Sequence, residues 1–406
     1  MLEALITLTS SLLALTNTVL TVYFIPIIMY PFLVRRKNFE AHIANGDGLL
    51  RLAVIVPAYR ENHASLKPTV ESIVSQNYPR EMFRVYFVLE GGDYGTFEAA
   101  KYYAEKLRRE GVACEILVRE GHARWGKADA LNYALKHVME DVYLVFDADV
   151  IAPENYFMEV SSALKSGFDA FFPKVYRFSE SFLGKLIFID TVLWYDIYLE
   201  SLRAISGGYI PLSGEGLAVK TSVLRKINGF PRVLTEDAML ALLLAKQGFK
   251  ISYGEGEVYE KAPRKLLPYI NQRVRWFQGF YRCLLELVRN TGKLGLKVFL
   301  SLLIAYMSPI AALASALFYT VLLGVALAYF FNINLLIPAA LIYWSMGLLT
   351  IGVVSLLTIL IQALKQKKAR ISLLHVIATP LYWFLNGIVA FLSIILPRTW
   401  RRTVRD

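Results

Sequence analysis

Two apolar blocks frame the chain, and a segment of mixed polarity lies between them. Residues 4–34 carry no formally charged side chain and end at Arg35-Arg36-Lys37. Roughly 20 apolar residues cross a bilayer, so this run predicts a transmembrane helix. It is too long for a signal sequence and no basic region precedes it, so the helix is expected to be retained. Residues 298–364 are also uncharged. Asn332-Ile333-Asn334 and Pro338 divide that block into two spans joined by an external turn. Pro309 predicts a break between a short interfacial helix and the first of these spans. Residues 371–397 are uncharged too, but Pro380 and Asn386-Gly387 interrupt them, and Arg398, Arg401, Arg402 and Arg405 follow. One crossing there would strand four arginines outside, so the expected placement is interfacial or re-entrant.

The middle reads differently. Leu52-Ala-Val-Ile-Val56, Val85-Tyr-Phe-Val-Leu89 and Val142-Tyr-Leu-Val-Phe146 are short β-branched or aromatic runs. Their lack of polar alternation predicts strands buried on both faces. Helical periodicity separates them, near 65–76, 97–110 and 128–139. Strands alternating with helices at this spacing predict a mostly parallel α/β sheet.

Composition agrees with a membrane protein that keeps a large polar part. The 406 residues are 56% hydrophobic and 19% charged, against about 25% charged in soluble domains. Disorder, a coiled coil and an ordinary cytosolic enzyme are excluded. The net charge of +11 is concentrated beside the apolar blocks: residues 297–406 hold nine Lys/Arg and one acid, whereas 35–296 hold 35 basic and 31 acidic residues. This is the positive-inside pattern and not a nucleic-acid footprint. It places the basic ends, and the polar segment between them, in the cytoplasm of a multi-pass protein of the cell membrane. Cys114 and Cys283 form neither a disulfide framework nor a zinc signature. The five histidines have no ligand spacing.

Candidate chemistry begins at Asp147-Ala148-Asp149, directly after the third strand. Ligands of open α/β sheets bind beyond the carboxyl ends of the strands. Two carboxylates there can hold a hard divalent cation such as Mg2+ or Mn2+. Pro57-Ala58-Tyr59-Arg60-Glu61 ends the first strand and Glu90-Gly91-Gly92-Asp93 the second. Gly126-Lys127 opens a helix, and Thr235-Glu236-Asp237 precedes another. Gln272, Arg275 and Trp276 share one face of a later helix.

These elements, taken in chain order, resemble the family 2 glycosyltransferases, and in particular their membrane-bound, cellulose-synthase-like branch. The resemblance covers about residues 50–290 and the flanking membrane segments. It implies a GT-A fold, meaning a mostly parallel sheet flanked by helices, with an α-helical transmembrane domain and amphipathic interface helices. It implies an inverting, metal-dependent hexosyltransferase acting on a nucleoside diphosphate sugar. Pro57, Ala58, Tyr59 and Glu61 then match the nucleotide-binding turn, Glu90 the acid that reads the base, and Lys127 a lysine near the nucleotide. Asp147 matches the acid near ribose and phosphates, and Asp149, with Asp147, the metal site. Asp237 matches the general base. Gln272 and Arg275 fall beside the pyrophosphate, and Trp276, Gly214 and Glu236 beside the acceptor.

The chain departs from the pattern at two places. Glu90 stands where the family has Asp, and Pro211-Leu212-Ser213-Gly214-Glu215-Gly216 lacks the Phe-Phe-Cys-Gly of true cellulose synthases. A carboxylate can accept two bonds from guanine and one from uracil, which leans the expected donor towards GDP-mannose over a UDP-sugar. The expected acceptor is a polyprenyl (dolichyl-type) phosphate or its saccharide. The alternatives are a processive polysaccharide synthase and, more distantly, a non-catalytic membrane scaffold. The expected layout is a transmembrane helix at 1–37, a cytoplasmic catalytic domain at 38–266 and interface helices at 267–308. Two transmembrane helices at 309–364 and an interfacial segment with a basic tail at 365–406 complete it.

Overall fold

The structure is a computed structural model that describes residues 2–33, 48–120, 125–333, 335–365 and 370–397. The basic clusters at 35–37 and 398–405, and Lys367 and Lys368, lie outside the described residues.

Seven strands form one sheet: β1 (Leu52–Ala58), β2 (Phe83–Glu90), β3 (Ala113–Arg119), β4 (Val142–Val145), β5 (Ala170–Phe178), β6 (Ala218–Lys220) and β7 (Ile251–Lys261). Their order is β3-β2-β1-β4-β6-β5-β7, and β6 alone among them runs antiparallel to its neighbours. Successive residues of a strand face opposite sides, and β1 shows why it has no polar positions. Ala53 and Ile55 enter one core, while Leu52, Val54 and Val56 enter the other. Each fully buried aliphatic chain contributes about 1.5–3 kcal/mol, so an all-apolar strand is favoured only between two covered faces.

The helices of the catalytic portion are α2 (His63–Val74), α3 (Tyr94–Arg109), α4 (Lys127–Ala134), α5 (Tyr156–Lys165), α6 (Phe182–Val192), α7 (Leu199–Ser206), α8 (Thr221–Lys226) and α9 (Glu236–Lys246), numbered after α1 (Leu2–Leu33). A π-helical stretch, Leu193–Tyr198, joins α6 to α7. Then come α10 (Leu266–Arg289), α11 (Leu296–Tyr306), α12 (Ser308–Phe330), α13 (Ala339–Lys365) and α14 (Leu373–Ile395). Asn62 and Ser65 make a reciprocal capping box at α2, satisfying two amino-terminal N–H groups that the helix itself cannot. Pro309 falls in the first turn of α12, where a missing N–H costs nothing.

Four helices, α1, α12, α13 and α14, are long and apolar enough to cross a membrane by length and composition. The interruption expected at Pro380 and Asn386-Gly387 is not seen: one helix runs through all three. Gly387 lies against the Ala312 carbonyl and Ala316 of α12, and the Asn386 amide oxygen accepts the Tyr269 hydroxyl of α10 at 2.5 Å. Close packing and a partner for the polar side chain remove the reason to break the helix there. The core on the α4 face of the sheet continues through α6 and α7 into Ile27 of α1, Ile304 of α11 and Ile359 of α13. The catalytic portion is thus packed directly onto the apolar helices.

Candidate active site

The carboxyl ends of β1, β2, β4, β5 and β7 meet along one edge of the sheet, and the antiparallel β6 brings its amino end there. Loops at that edge and the helices α9 and α10 carry the candidate chemistry, in two groups.

The first group follows β1 and β2. Pro57 and Ala58 end β1, and Arg60 turns the chain at φ 56°. The Arg60 guanidinium lies 5.1 Å from the Tyr59 ring centroid. The Arg60 N–H donates to Asp93 at 2.5 Å, and that of Glu61 to the Thr96 hydroxyl at 2.8 Å, so the turn is tied to the start of α3. Glu90 ends β2 opposite Arg119 of β3 in the parallel register. Arg119 donates from Nε to one Glu90 oxygen at 3.1 Å and from Nη2 to the other. The expected base reader therefore carries a guanidinium on both oxygens. The sequence reading did not single out Arg119, because register between strands is not a local pattern.

The second group surrounds a cavity of about 270 Å³ lined by Lys127, Asp147, Glu236, Asp237, Arg275 and Trp276 among others. Lys127 opens α4, and its Nζ lies 2.5 Å from Asp147 Oδ1 and 3.9 Å from Glu236 Oε1. Burial works against the ammonium, but Asp147, Glu236 and Glu215 outweigh it and hold its pKa above the ordinary lysine range. A side chain at Gly214 would meet Lys127 Nζ at 2.7 Å and Asp237 Oδ2 at 3.4 Å, so a larger residue there would have to displace the Lys127 ammonium. Asp237 and Glu236 form the first turn of α9. That end of the helix rests on α10 and α11: the Thr235 methyl lies against Gly279 of α10, and the hydroxyl of Tyr306 in α11 donates to the Ala238 carbonyl at 2.7 Å.

Burial raises the Asp237 carboxyl above its usual range; Glu215 adds to this and Lys127 opposes it. Burial likewise raises Glu236, to about 7, with Lys127 opposing and Asp237 adding. A raised carboxyl is the better proton acceptor of the two states a base must pass between near neutrality.

Asp149 sits in the turn after β4, which is closed by the Val150 N–H donating to the Asp147 carbonyl at 3.1 Å. Gln272 is buried on α10 and does not line the cavity. Among the described residues, the oxygens that could jointly hold a metal ion belong to Asp147, Glu215 and Glu260, within 4.8 Å of one another. That spacing suits a hard cation. Arg177, however, already donates to Glu215 at 2.7 Å and to Glu260 at 2.6 Å.

Three further groups were not read from the sequence. Arg177 is the register partner of Glu260 across β5 and β7, and its guanidinium lies 4.7 Å from the Trp276 ring centroid. Arg273 lies 5.0 Å from the same ring and donates to Asp190 at 2.6 Å and to the Tyr382 hydroxyl at 2.9 Å. Trp276 thus takes part in a cation–aromatic stack with both guanidiniums. The π-helical stretch contributes Trp194 and Tyr195 to the cavity, and the Tyr195 hydroxyl bonds Ser213 at 2.5 Å. Such stretches frequently mark functional sites. The opposite wall comes from Leu20, Tyr23 and Phe24 of α1, Ser308, Ala311, Ala312 and Ser315 of α12, and Trp383 of α14.

Residues 51–279 match the model of the family described as "Glycosyltransferase like family 2". The chain belongs to this family. It has a GT-A fold, and its four long apolar helices fit a membrane-associated protein; the alignments span 56% and 63% of two curated relatives that it matches. The beta-monoglucosyldiacylglycerol synthase of Synechocystis is 25% identical over 65% of this family 2 chain, and the alignment takes in 56% of that enzyme. The poly-beta-1,6-N-acetyl-D-glucosamine synthase of Staphylococcus epidermidis is 22% identical over 94% of the chain and 92% of its own length. The mannosyltransferase PcManGT from Pyrobaculum calidifontis, solved with GDP-Man and Mn2+, superposes with a TM-score of 0.64 at 20% identity, covering 95% of this chain and 99% of its own.

Proposed function

We propose that this glycosyltransferase moves a hexose, with inversion, from a nucleoside diphosphate sugar to a polyprenyl-phosphate-linked lipid acceptor at the cytoplasmic membrane face. One observation carries the reading: the catalytic carboxylates and the apolar helices line the same cavity. A lipid tail can lie against α1, α12 and α14 while its polar head reaches Asp237. In the reaction Asp237 takes the proton of the attacking group, Arg275 and Lys127 face the leaving diphosphate, and Trp276 walls the sugar site. Asp147 and Asp149 are the residues we assign to a divalent cation, Mn2+ or Mg2+, which when bound offsets charge on the diphosphate. Pro57, Ala58, Tyr59, Glu61, Glu90 and Gln272 are assigned to the nucleotide side.

GDP-mannose stands first as donor, in keeping with PcManGT, which shares the fold and was solved with it. UDP-sugars stay in the panel because Arg119 engages both oxygens of Glu90. A second reading, a processive polysaccharide synthase, is favoured by the end-to-end alignment with the staphylococcal synthase. The test incubates purified protein with labelled GDP-mannose, UDP-glucose and UDP-N-acetylglucosamine, with and without polyprenyl phosphate and its monosaccharide. Label extracted with the lipid supports the first reading. Label in an insoluble polymer formed without lipid supports the second.

A further inference from the structure

Glu215 is a cavity acid to which the proposed reaction gives no task. Its residue is 8% exposed and it lines the cavity. Its Oε1 accepts Arg177 at 2.7 Å, while its Oε2 is buried and makes no hydrogen bond among the described residues. A buried carboxylate oxygen without a donor is costly, and sites that carry one are built to receive a donor. The side chain cannot swing away to find one. Arg177 grips it while also holding Glu260 at 2.6 Å and stacking on Trp276. The loop behind is anchored by the Tyr156 hydroxyl donating to the Gly216 carbonyl at 2.5 Å.

The surrounding charges limit what can approach. Asp147, Asp190, Glu215, Glu236 and Asp237 line the cavity, as do Lys127, Arg177, Arg273 and Arg275. Lys127 is paired with Asp147, Arg177 with Glu215 and Glu260, and Arg273 with Asp190, and Arg275 is assigned above to the diphosphate. The neighbourhood of the base then holds Asp237, Glu236 and Glu215 Oε2, with the one nearby ammonium, Lys127, already turned to Asp147 and Glu236. It welcomes hydrogen-bond donors and repels anions. A phosphate nucleophile would also have no use for a base, being ionised already.

Resting on the lipid-acceptor reading, we propose that Glu215 Oε2 accepts a hydrogen bond from a hydroxyl beside the attacking one, so that the reacting end of the acceptor is a sugar on the lipid and not a bare polyprenyl phosphate. In the step, the attacking hydroxyl gives its proton to Asp237 as its oxygen bonds to the donor C1. The bond from C1 to the diphosphate oxygen breaks, and its electron pair leaves with the diphosphate. Glu215 takes no proton and determines specificity.

The test compares polyprenyl phosphate with a polyprenyl-phosphate-linked monosaccharide as acceptors for the same labelled donor. Transfer to the saccharide is expected to exceed transfer to the bare phosphate at least tenfold. Glu215→Gln, which keeps the volume and the Arg177 contact, is expected to raise the acceptor KM tenfold or more with a smaller change in kcat. Calorimetric nucleotide binding shows that the variant is folded, and Glu215→Asp serves as a second variant. Equal or faster transfer to bare phosphate, or an unchanged acceptor KM in Glu215→Gln, overturns the proposal. A polymer made without lipid overturns the lipid-acceptor reading instead. The growing chain end is then the polyhydroxyl acceptor: a loss of elongation in Glu215→Gln supports the role of Glu215, and undiminished elongation overturns it.

Discussion

At the scale of single residues, Asp237 and Asp149 carry the assignments that mutation tests most directly. Asp237→Asn keeps the shape and removes the basicity, so it should bind donor nucleotide while losing transfer by about 10²–10⁴-fold. Near-parental turnover would mean another group takes the proton. The buried acid pair also sets the pH response. Both carboxyls are raised, Glu236 to about 7, so transfer should fall on acidification from neutral pH and not only near the usual carboxylate range. Stability runs the other way: a raised carboxyl contributes most below its unfolded pKa, and that contribution is lost as pH rises through about 7. An acid limb of kcat/KM near pH 4 would contradict the assignment. Asp149→Ala should abolish Mn2+-dependent donor binding in calorimetry, because a hard cation needs its oxygen ligands. Unchanged metal-dependent affinity would instead move the ion to Asp147, Glu215 and Glu260.

At the scale of elements, the catalytic geometry depends on α9 sitting on α10. An added Cβ at Gly279 would fall 2.3 Å from the Thr235 methyl and 2.8 Å from its Cβ. Neither α9 nor α10 can yield locally, since Ala238, Met239 and Leu242 are packed with Cys283, Leu287 and Tyr306. Gly279→Val should therefore cost about 1–3 kcal/mol of overpacking and displace Asp237 from the cavity. Thermal unfolding and transfer assays on the same preparation check this. A variant as stable and active as the parent would show that the contact is not needed. The motif order was legible in the sequence because each motif follows a strand or opens a helix. The seating of one helix on the next was not, because a glycine opposite a threonine has no period.

At the scale of the whole molecule, the placement of α14 decides the membrane topology. Its 23 residues extend about 34 Å, enough to cross. Yet His375 near its start stacks on Phe182 of α6 at 4.7 Å, and the Leu396 carbonyl at its end accepts Gln278 of α10 at 3.0 Å. Both partners belong to elements continuous with the catalytic portion, and α10 carries four arginines and Glu286, charges unsuited to lipid. Such partners at both ends are what an interfacial helix would show, and the expectation is three spans near 4–34, 309–331 and 336–364, although α14 also has the length and apolar composition of a span. The expected result is that a cysteine at Thr403→Cys in sealed vesicles is labelled only from the catalytic side. Labelling only from the opposite side would establish a fourth span.

What the chain determined by itself were features with a local period or a local charge. These are the apolar runs that became α1, α12, α13 and α14, the strands of a doubly covered sheet, and the acidic and basic motifs in their order. Each rests on residues within about one helix or strand of one another. What tertiary structure alone decided is which of these side chains meet. The register of β5 and β7 sets Arg177 beside Glu260, and the antiparallel β6 swings Glu215 onto the same guanidinium. The pairing of β2 with β3 lays Arg119 across Glu90. Strand order and register come from closing long loops around a shared core, a non-local condition, so the charges that surround the base could not be read from spacing along the chain.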